Sequence, residues 1–263
     1  MPLMVKVTTW NVNSVNSRLE RVKAFLARES PDYLCLQELK CVDEKFPHEA
    51  FLECGYHSAI FGQKAYNGVA VLSKEPVEIL FKNFDDDISD EQSRTITVRT
   101  NHGFDLISAY VPNGQSFGSD KYAYKMQWLN RAKSFLNRHW SPSSAVVLVG
   151  DFNIAPDDRD VYDPVAWKDH IHCSPDERRA LGELVAFGLI DTFRMHEQGD
   201  SLFSWWDYRE MSFSRNKGLR IDIIYCTPPQ AAKCRRVTID REERSGEKPS
   251  DHAPVTAVFD WPE

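Results

Sequence analysis

What the chain lacks narrows the field first. Among its 263 residues there is no C-x-x-C pair, and the six cysteines stand apart at positions 35, 41, 54, 173, 226 and 234. That spacing argues against a disulfide framework or a zinc ribbon. Cys35 lies inside an apolar run, where a thiol serves as a small hydrophobe. No stretch approaches the ~20 apolar residues of a membrane span. The opening run, Met1-Pro2-Leu3-Met4-Val5-Lys6-Val7, lacks the basic start and apolar core of a signal peptide. A cytoplasmic protein that does not enter membranes is expected. Positive charge is also short: 32 Lys and Arg face 39 Asp and Glu, for a net charge of −7. Such a balance does not advertise a nucleic-acid binder, because phosphate contacts favour basic surfaces. It leaves room for an enzyme whose carboxylates hold a cation that in turn meets phosphate. Repeats, low-complexity tracts and Gly/Ser/Pro-rich linkers are missing too, so one domain over 1–263 is expected.

What is present is a series of short runs rich in Val, Ile, Thr and Tyr. Strands are predicted at 4–10, 33–37, 68–73, 95–99, 104–110, 146–150, 219–226, 235–239 and 254–259. Leu19, Val22, Phe25 and Leu26 form a stripe at helical spacing behind a capping-box pattern, Ser17-x-x-Glu20. A second stripe, Tyr122, Met126, Leu129, Phe135 and Leu136, predicts a helix over 121–139. A third helix is predicted over 175–187, with Pro175 in its first turn. The runs Asp85-Asp86-Asp87 and 241–244 read as solvated loops. Many strands with few helices predict an α/β fold in which two packed sheets carry helices outside.

Polar residues gather where these strands end. Val146–Gly150 runs into Asp151 and Asn153; Gln37-Glu38 closes the second strand; Asn11 and Asn13 close the first. Asp222 interrupts an Ile-rich run, and Ser250-Asp251-His252 precedes the last strand. Each has a plainer reading. Asp151 and Asn153 suit a turn, Glu38 suits the surface beside Lys40, Arg220 and Asp222 suit a pair on one strand face, and a lone His252 suits a structural role. Recurrence at five strand ends favours a site, since ligands gather where sheets meet loops. Oxygen donors with one histidine suit Mg²⁺ or Mn²⁺ rather than zinc. A His–Asp pair beside such an ion fits phosphoester hydrolysis.

Taken in order, "TTWNVNS", "LQE", "GDFNIAP", "GLRID" and "SDHAP", with "NGVAVLS", "FSWWDYR" and "EKPSDHAP", resemble the exonuclease III / AP endonuclease family of the endonuclease/exonuclease/phosphatase superfamily. The resemblance runs from Val7 to Phe259. It implies a four-layer α/β sandwich and a Mg²⁺-dependent DNA-repair phosphoesterase, with Mn²⁺ as a substitute. It also implies a substrate of double-stranded DNA with damaged or recessed 3′ ends. Carried over by motif, Glu38 is the principal metal ligand, with Asn11 and Asp251 beside it. His252 faces the scissile phosphate with Asp222 behind it. Asp151 moves the proton of the water or of the leaving oxygen, and Asn153 and Tyr110 contact the phosphate or the water. Asn113 touches the DNA backbone. Trp205, Leu219 and Ile221 take the positions of an apolar sugar pocket, although core packing is as good a reading for Ile221. Arg209, Arg215, Lys217 and Arg220 are candidates for a local basic strip, which Lys121 and Lys125 would extend unless they are solvated helix charge.

One departure stands out. Members that cut at abasic sites commonly place a small residue before Phe-Leu-Pro-Glu-Glu-Arg; here the chain reads Ile171-His172-Cys173-Ser174-Pro175-Asp176-Glu177-Arg178. A bulky, potentially cationic His172 would narrow the cleft, against internal cleavage 5′ to an abasic site but not against trimming of 3′ ends. The plainer reading makes His172 a cap for the next helix. A phosphoesterase of the same fold acting on lipid or inositol phosphates is the competing reading. No feature signals oligomerisation, and a monomer is expected.

Overall fold

The computed structural model describes residues 3–197 and 199–261. Twelve strands are found among the described residues: β1 (Leu3–Asn11), β2 (Tyr33–Gln37), β3 (His57–Phe61), β4 (Val69–Ser73), β5 (Glu78–Lys82), β6 (Thr95–Arg99), β7 (Asp105–Tyr110), β8 (Val146–Asp151), β9 (Ile190–Asp191), β10 (Asp222–Cys226), β11 (Cys234–Ile239) and β12 (Val255–Trp261). They form two six-stranded sheets, ordered β11-β12-β1-β2-β4-β3 and β5-β6-β7-β8-β10-β9. Both are mixed, with one parallel pair each, β1–β2 and β7–β8. The helices are α1 (Leu19–Glu29), α2 (His48–Glu53), α3 (Asp120–His139), α4 (Pro164–Trp167), α5 (Pro175–Val185), α6 (Thr192–His196) and α7 (Pro228–Ala231). None of them is long and apolar enough to cross a membrane.

The period-2 geometry of strands explains the layering. Val5, Val7, Cys35, Val147, Val149 and Ile224 point into the core between the sheets. Their neighbours point outward: Trp10, Leu34 and Leu36 onto α1 and α2, with Val22, Phe25 and Phe51. On the far side Ile107, Leu148 and Ile223 meet Trp128, Leu129, Phe135 and Leu184 of α3 and α5. Strands buried on both faces read as continuous apolar runs, which is why they stood out in the sequence. The result is helix, sheet, sheet, helix: the four-layer sandwich.

Three strands escape the sequence reading. β3 and β5 lie at sheet edges, and β9 has two residues. Edge strands bury one face or less and lose the pattern that marks the centre. The run predicted at 219–226 is a strand only from Asp222. Leu219 instead bridges to Val161 and Trp205, and Arg220 turns its guanidinium to Asp160 and Asp191. The plainer reading, in which Arg220 pairs with Asp222, is therefore not met. The Ser17-x-x-Glu20 box does not form either, because Ser17 sits inside a short 3₁₀ turn and α1 starts without a side-chain cap. A capping box does close α5, between Ser174 and Glu177. Ser174, not His172, caps that helix. The two charge runs are not simply solvated. Asp86 and Asp90 grip buried Arg131, while buried Glu243 joins Arg21 and Arg28.

Candidate active site

Strand parity aims the polar tips. Asn11 shares the inward parity of Val5 and Val7, Asp151 that of Val147 and Val149, and Asp222 that of Ile224. Each lies where the apolar core between the sheets ends, so side chains from both sheets converge at one mouth. Asp222 is the register partner of Asp151 across the antiparallel β10–β8 pair, and Tyr110 is its partner across β7–β8. Gly150 makes this approach possible: a Cβ there would stand 1.8 Å from the Ala109 carbonyl oxygen.

Hydrogen bonds join the tips into one network. Asn11 Nδ2 donates to Glu38 Oε1 at 2.8 Å and to Asp151 Oδ2 at 2.9 Å. Asn153 donates to the same carboxylate twice, from Nδ2 to Oδ2 at 3.1 Å and from its backbone N–H to Oδ1 at 2.9 Å. His252 Nδ1 meets Asp222 Oδ2 at 2.8 Å, and its Nε2 stands 3.7 Å from Asp151 Oδ2. Ser204 Oγ donates to Asp222 at 2.6 Å. Asn113 Nδ2 donates to Asn153 Oδ1 at 3.3 Å. Asp251 accepts from Asn13 Nδ2 at 3.0 Å and from Trp205 Nε1 at 3.1 Å.

Charge is distributed unevenly over this network. Burial pushes the Asp151 carboxyl up to about 7, against the lowering pull of His252. Burial alone would depress His252, but Asp222 and Asp151 outweigh it and raise the imidazolium to about 10. Burial raises the Tyr110 hydroxyl well above its ordinary range, and Glu38 and Asp151 push the same way. The His252–Asp222 dyad therefore holds a cation against the inner wall, and Asp151 stands beside it at the edge of its own titration.

One ligand atom each from Glu38, Asp151 and His252 lie within 4.8 Å of one another, a possible metal site. The donor chemistry suits a hard cation: two carboxylates, one of them deeply buried. His252 gives its Nδ1 to Asp222, and Glu38 and Asp151 are the hard oxygen donors of the set. Asn11 turns its amide nitrogen to these carboxylates and its Oδ1 to the Asn13 N–H, and so clasps the two together. Asp251 lies outside the three-residue set.

The remaining expected residues divide. Asn153 and Tyr110 border the carboxylates, and Asn113 stands behind Asn153. Trp205 is half-buried at the rim, whereas Leu219 and Ile221 are buried in a small core with Ala155, Val161 and Cys173. Arg209 is exposed but paired with Asp207, Arg215 is exposed, and Lys217 is half-buried beside Tyr162. Arg220 and Lys125 leave the proposed basic strip altogether, since both are buried in ion pairs; Lys121 remains exposed. His172 is buried, its Nδ1 on the Asn153 carbonyl oxygen at 2.6 Å and its ring centroid 6.3 Å from Trp205. Burial, aided by Lys125, lowers it to about 4, so it is neutral and not cationic.

Sequence reasoning passed over two site residues, Lys40 and Ser204, and gave Asn13 no role of its own. Lys40 pairs with Glu38 at 2.9 Å and also holds Asn13; it looked like a surface neighbour. Asn13 carries the link to Asp251, and Ser204 anchors the dyad. A serine in "FSWW" gives no signal until the fold sets it under Asp222.

An imidazolium anchored on Asp222 and facing the Glu38 and Asp151 carboxylates at the mouth of a double sheet suits the hydrolysis of phosphoesters. Residues 8–252 match the Endonuclease/Exonuclease/phosphatase family. The chain is 35% identical to exodeoxyribonuclease III of Haemophilus influenzae, over 97% of this chain and 100% of that protein. Two solved structures superpose closely. A 3′ phosphatase, NExo, from Neisseria bound to a product DNA hairpin gives a TM-score of 0.94 at 43% identity, covering 98% of this chain and 100% of that one. An AP endonuclease from Archaeoglobus fulgidus gives 0.93 at 40%, covering 97% and 99%. With that fold and those relatives, the chain belongs to the exonuclease III / AP endonuclease family and is an exodeoxyribonuclease III-like DNA-repair phosphoesterase.

Proposed function

We propose that this enzyme hydrolyses phosphoesters at damaged or recessed 3′ ends of double-stranded DNA, as 3′-phosphatase, 3′-repair diesterase and 3′–5′ exonuclease, with Mg²⁺ as its ion and Mn²⁺ as a substitute. The observation that carries the reading is the convergence of Glu38, Asp151 and His252 at the inter-sheet mouth. Glu38 would be the principal holder of the ion, with Asp151 at its edge, and the ion when bound polarises the phosphoryl oxygens. His252, kept cationic by Asp222, faces the charge that builds on the phosphoryl group. Asp151, 3.7 Å from His252 Nε2, exchanges a proton with the attacking water or the leaving oxygen. Asn153 orients that water, and Tyr110 and Asn113 contact the phosphate and backbone.

At the rim, Trp205 meets the terminal sugar. Arg215, Lys217 and Lys121 are the exposed or half-exposed cations left for the DNA backbone, with Arg209 available once released from Asp207. His172, wedged between Asn153 and Trp205, disfavours a continuous strand and so internal abasic cleavage. The whole chain acts as one domain and as a monomer. Its six free thiols are in keeping with a cytoplasmic setting.

The test is one labelled duplex series: a 3′-phosphate nick, a recessed 3′ end, a blunt end and an internal abasic site, each with Mg²⁺ and with EDTA. Release of 3′-phosphate ahead of abasic cutting, lost in EDTA and restored by Mg²⁺ or Mn²⁺, is the expected result. Full activity in chelator would overturn the metal assignment. Turnover of inositol phosphates with none of these duplexes cut would overturn the substrate.

A further inference from the structure

Lys125 lies in α3 and Glu177 in the first turn of α5; both side chains are completely buried and bonded to each other. Burying two ions is costly, and an apolar pair of similar volume would fill the same space without that cost. Apart from the Ser174 cap of α5, their other hydrogen bonds go to the loops that carry the active site. Lys125 Nζ donates to the Asn153 carbonyl oxygen at 2.8 Å and to that of Asn113 at 3.2 Å. Glu177 accepts from the His172 N–H at 3.1 Å, the Ser174 N–H at 3.2 Å and Ser174 Oγ at 2.7 Å. His172 Nδ1 closes the ring on the same Asn153 carbonyl oxygen.

The backbone held there turns back on itself. Asn153 has φ +51° and His172 φ +78°, left-handed conformations that Asn and His adopt more readily than most residues, so the direction of each carbonyl is set by what it bonds. We infer that the Lys125–Glu177 ion pair is the positioning element of the active-site turn. It clamps the carbonyl side of Asn153 and Asn113 from beneath and so fixes the aim of the Asn153 carboxamide at Asp151. The inference rests on the role proposed above for Asn153. It assigns to Lys125 a place behind the site, reached from the protein interior and never by DNA.

The test is single-turnover release of phosphate from a 3′-phosphorylated nick by the full chain with Mg²⁺. Lys125→Met with Glu177→Gln removes both charges, nearly keeps the volume and leaves an oxygen for the His172 N–H. A folded double variant, verified by circular dichroism and melting, should lose roughly 10- to 100-fold in the chemical step, the scale of a small misplacement of a catalytic group. Should it fail to fold, Glu177→Gln alone is read in the same way. A merely structural pair would not couple to Asn153, so the decisive measurement adds Asn153→Ala. In that background the pair's removal should cost less than about threefold, because both changes spoil one function. Fully additive losses, or a folded double variant with the wild-type rate, would overturn the inference. A wild-type rate for Asn153→Ala alone would instead sink the catalytic reading of Asn153, and the inference with it.

Discussion

Replacing Asp151 with Asn is the sharpest perturbation the site allows, because size is kept while charge and hydrogen bonding change. Oδ2 of Asp151 accepts from Asn11 and Asn153 and stands 3.7 Å from His252 Nε2, and Oδ1 accepts the Asn153 N–H. An amide NH₂ at the Oδ2 position would face two donors. Turned the other way it faces the Asn153 N–H, losing one bond and leaving a buried donor unmet, at a cost of about 1–3 kcal/mol. Against that, the variant no longer buries a carboxylate whose ionisation burial opposes. The two effects oppose each other, so we expect the melting temperature to move by no more than a few degrees, on a scale of ~2–4 °C per kcal/mol for chains of about this size. Catalysis has no such offset. Loss of a proton-transfer group costs ~10²–10⁴-fold, or about 3–5 kcal/mol of barrier at 1.36 kcal/mol per decade. The assay is single-turnover phosphate release from a 3′-phosphorylated nick with saturating Mg²⁺, beside thermal melting. A rate within threefold of wild type in a folded variant would refute the role given to Asp151.

His172→Gly relieves a left-handed backbone position and opens the space beside Trp205; the ratio of internal abasic cutting to 3′-phosphate release should rise, and an unchanged ratio would remove the steric gate. Acid should weaken the fold through Glu177. Burial raises its carboxyl, but the Lys125 ammonium outweighs burial and holds it below the usual range. A depressed carboxyl adds stability above its unfolded pKa of about 4.3 and loses it as pH falls through the lower folded value. Urea midpoints should therefore drop below that pH, with a shallower drop in Glu177→Gln; parallel curves would contradict the linkage. Gly150→Ala should abolish soluble expression, since its methyl would stand 1.8 Å from the Ala109 carbonyl oxygen; a folded, active variant would show that β7 and β8 can part without loss.

The central strands, the three longer helices α1, α3 and α5, and the polar tips at Asn11, Glu38, Asp151, Asp222 and His252 were legible in the sequence, because local patterning encodes them. Strands buried on both faces are mostly apolar, with only small or neutral polar residues such as Thr8, Thr9 and Ser108 among them, so a carboxylate at their end is conspicuous. Where side chains go after leaving the strand is not encoded locally. Arg220 and Lys125 carry the composition of surface cations, yet the fold withdraws them into ion pairs with Asp160, Asp191 and Glu177. The charge of His172 was equally unreadable, because its burial depends on loops that meet only after two sheets pack. Lys40 and Ser204 became site residues through partners far away in the chain or unseen in pattern. Periodicity is a property of neighbours along the backbone and survives in one dimension; desolvation and long-range pairing are properties of neighbours in space, and only the packed molecule sets them.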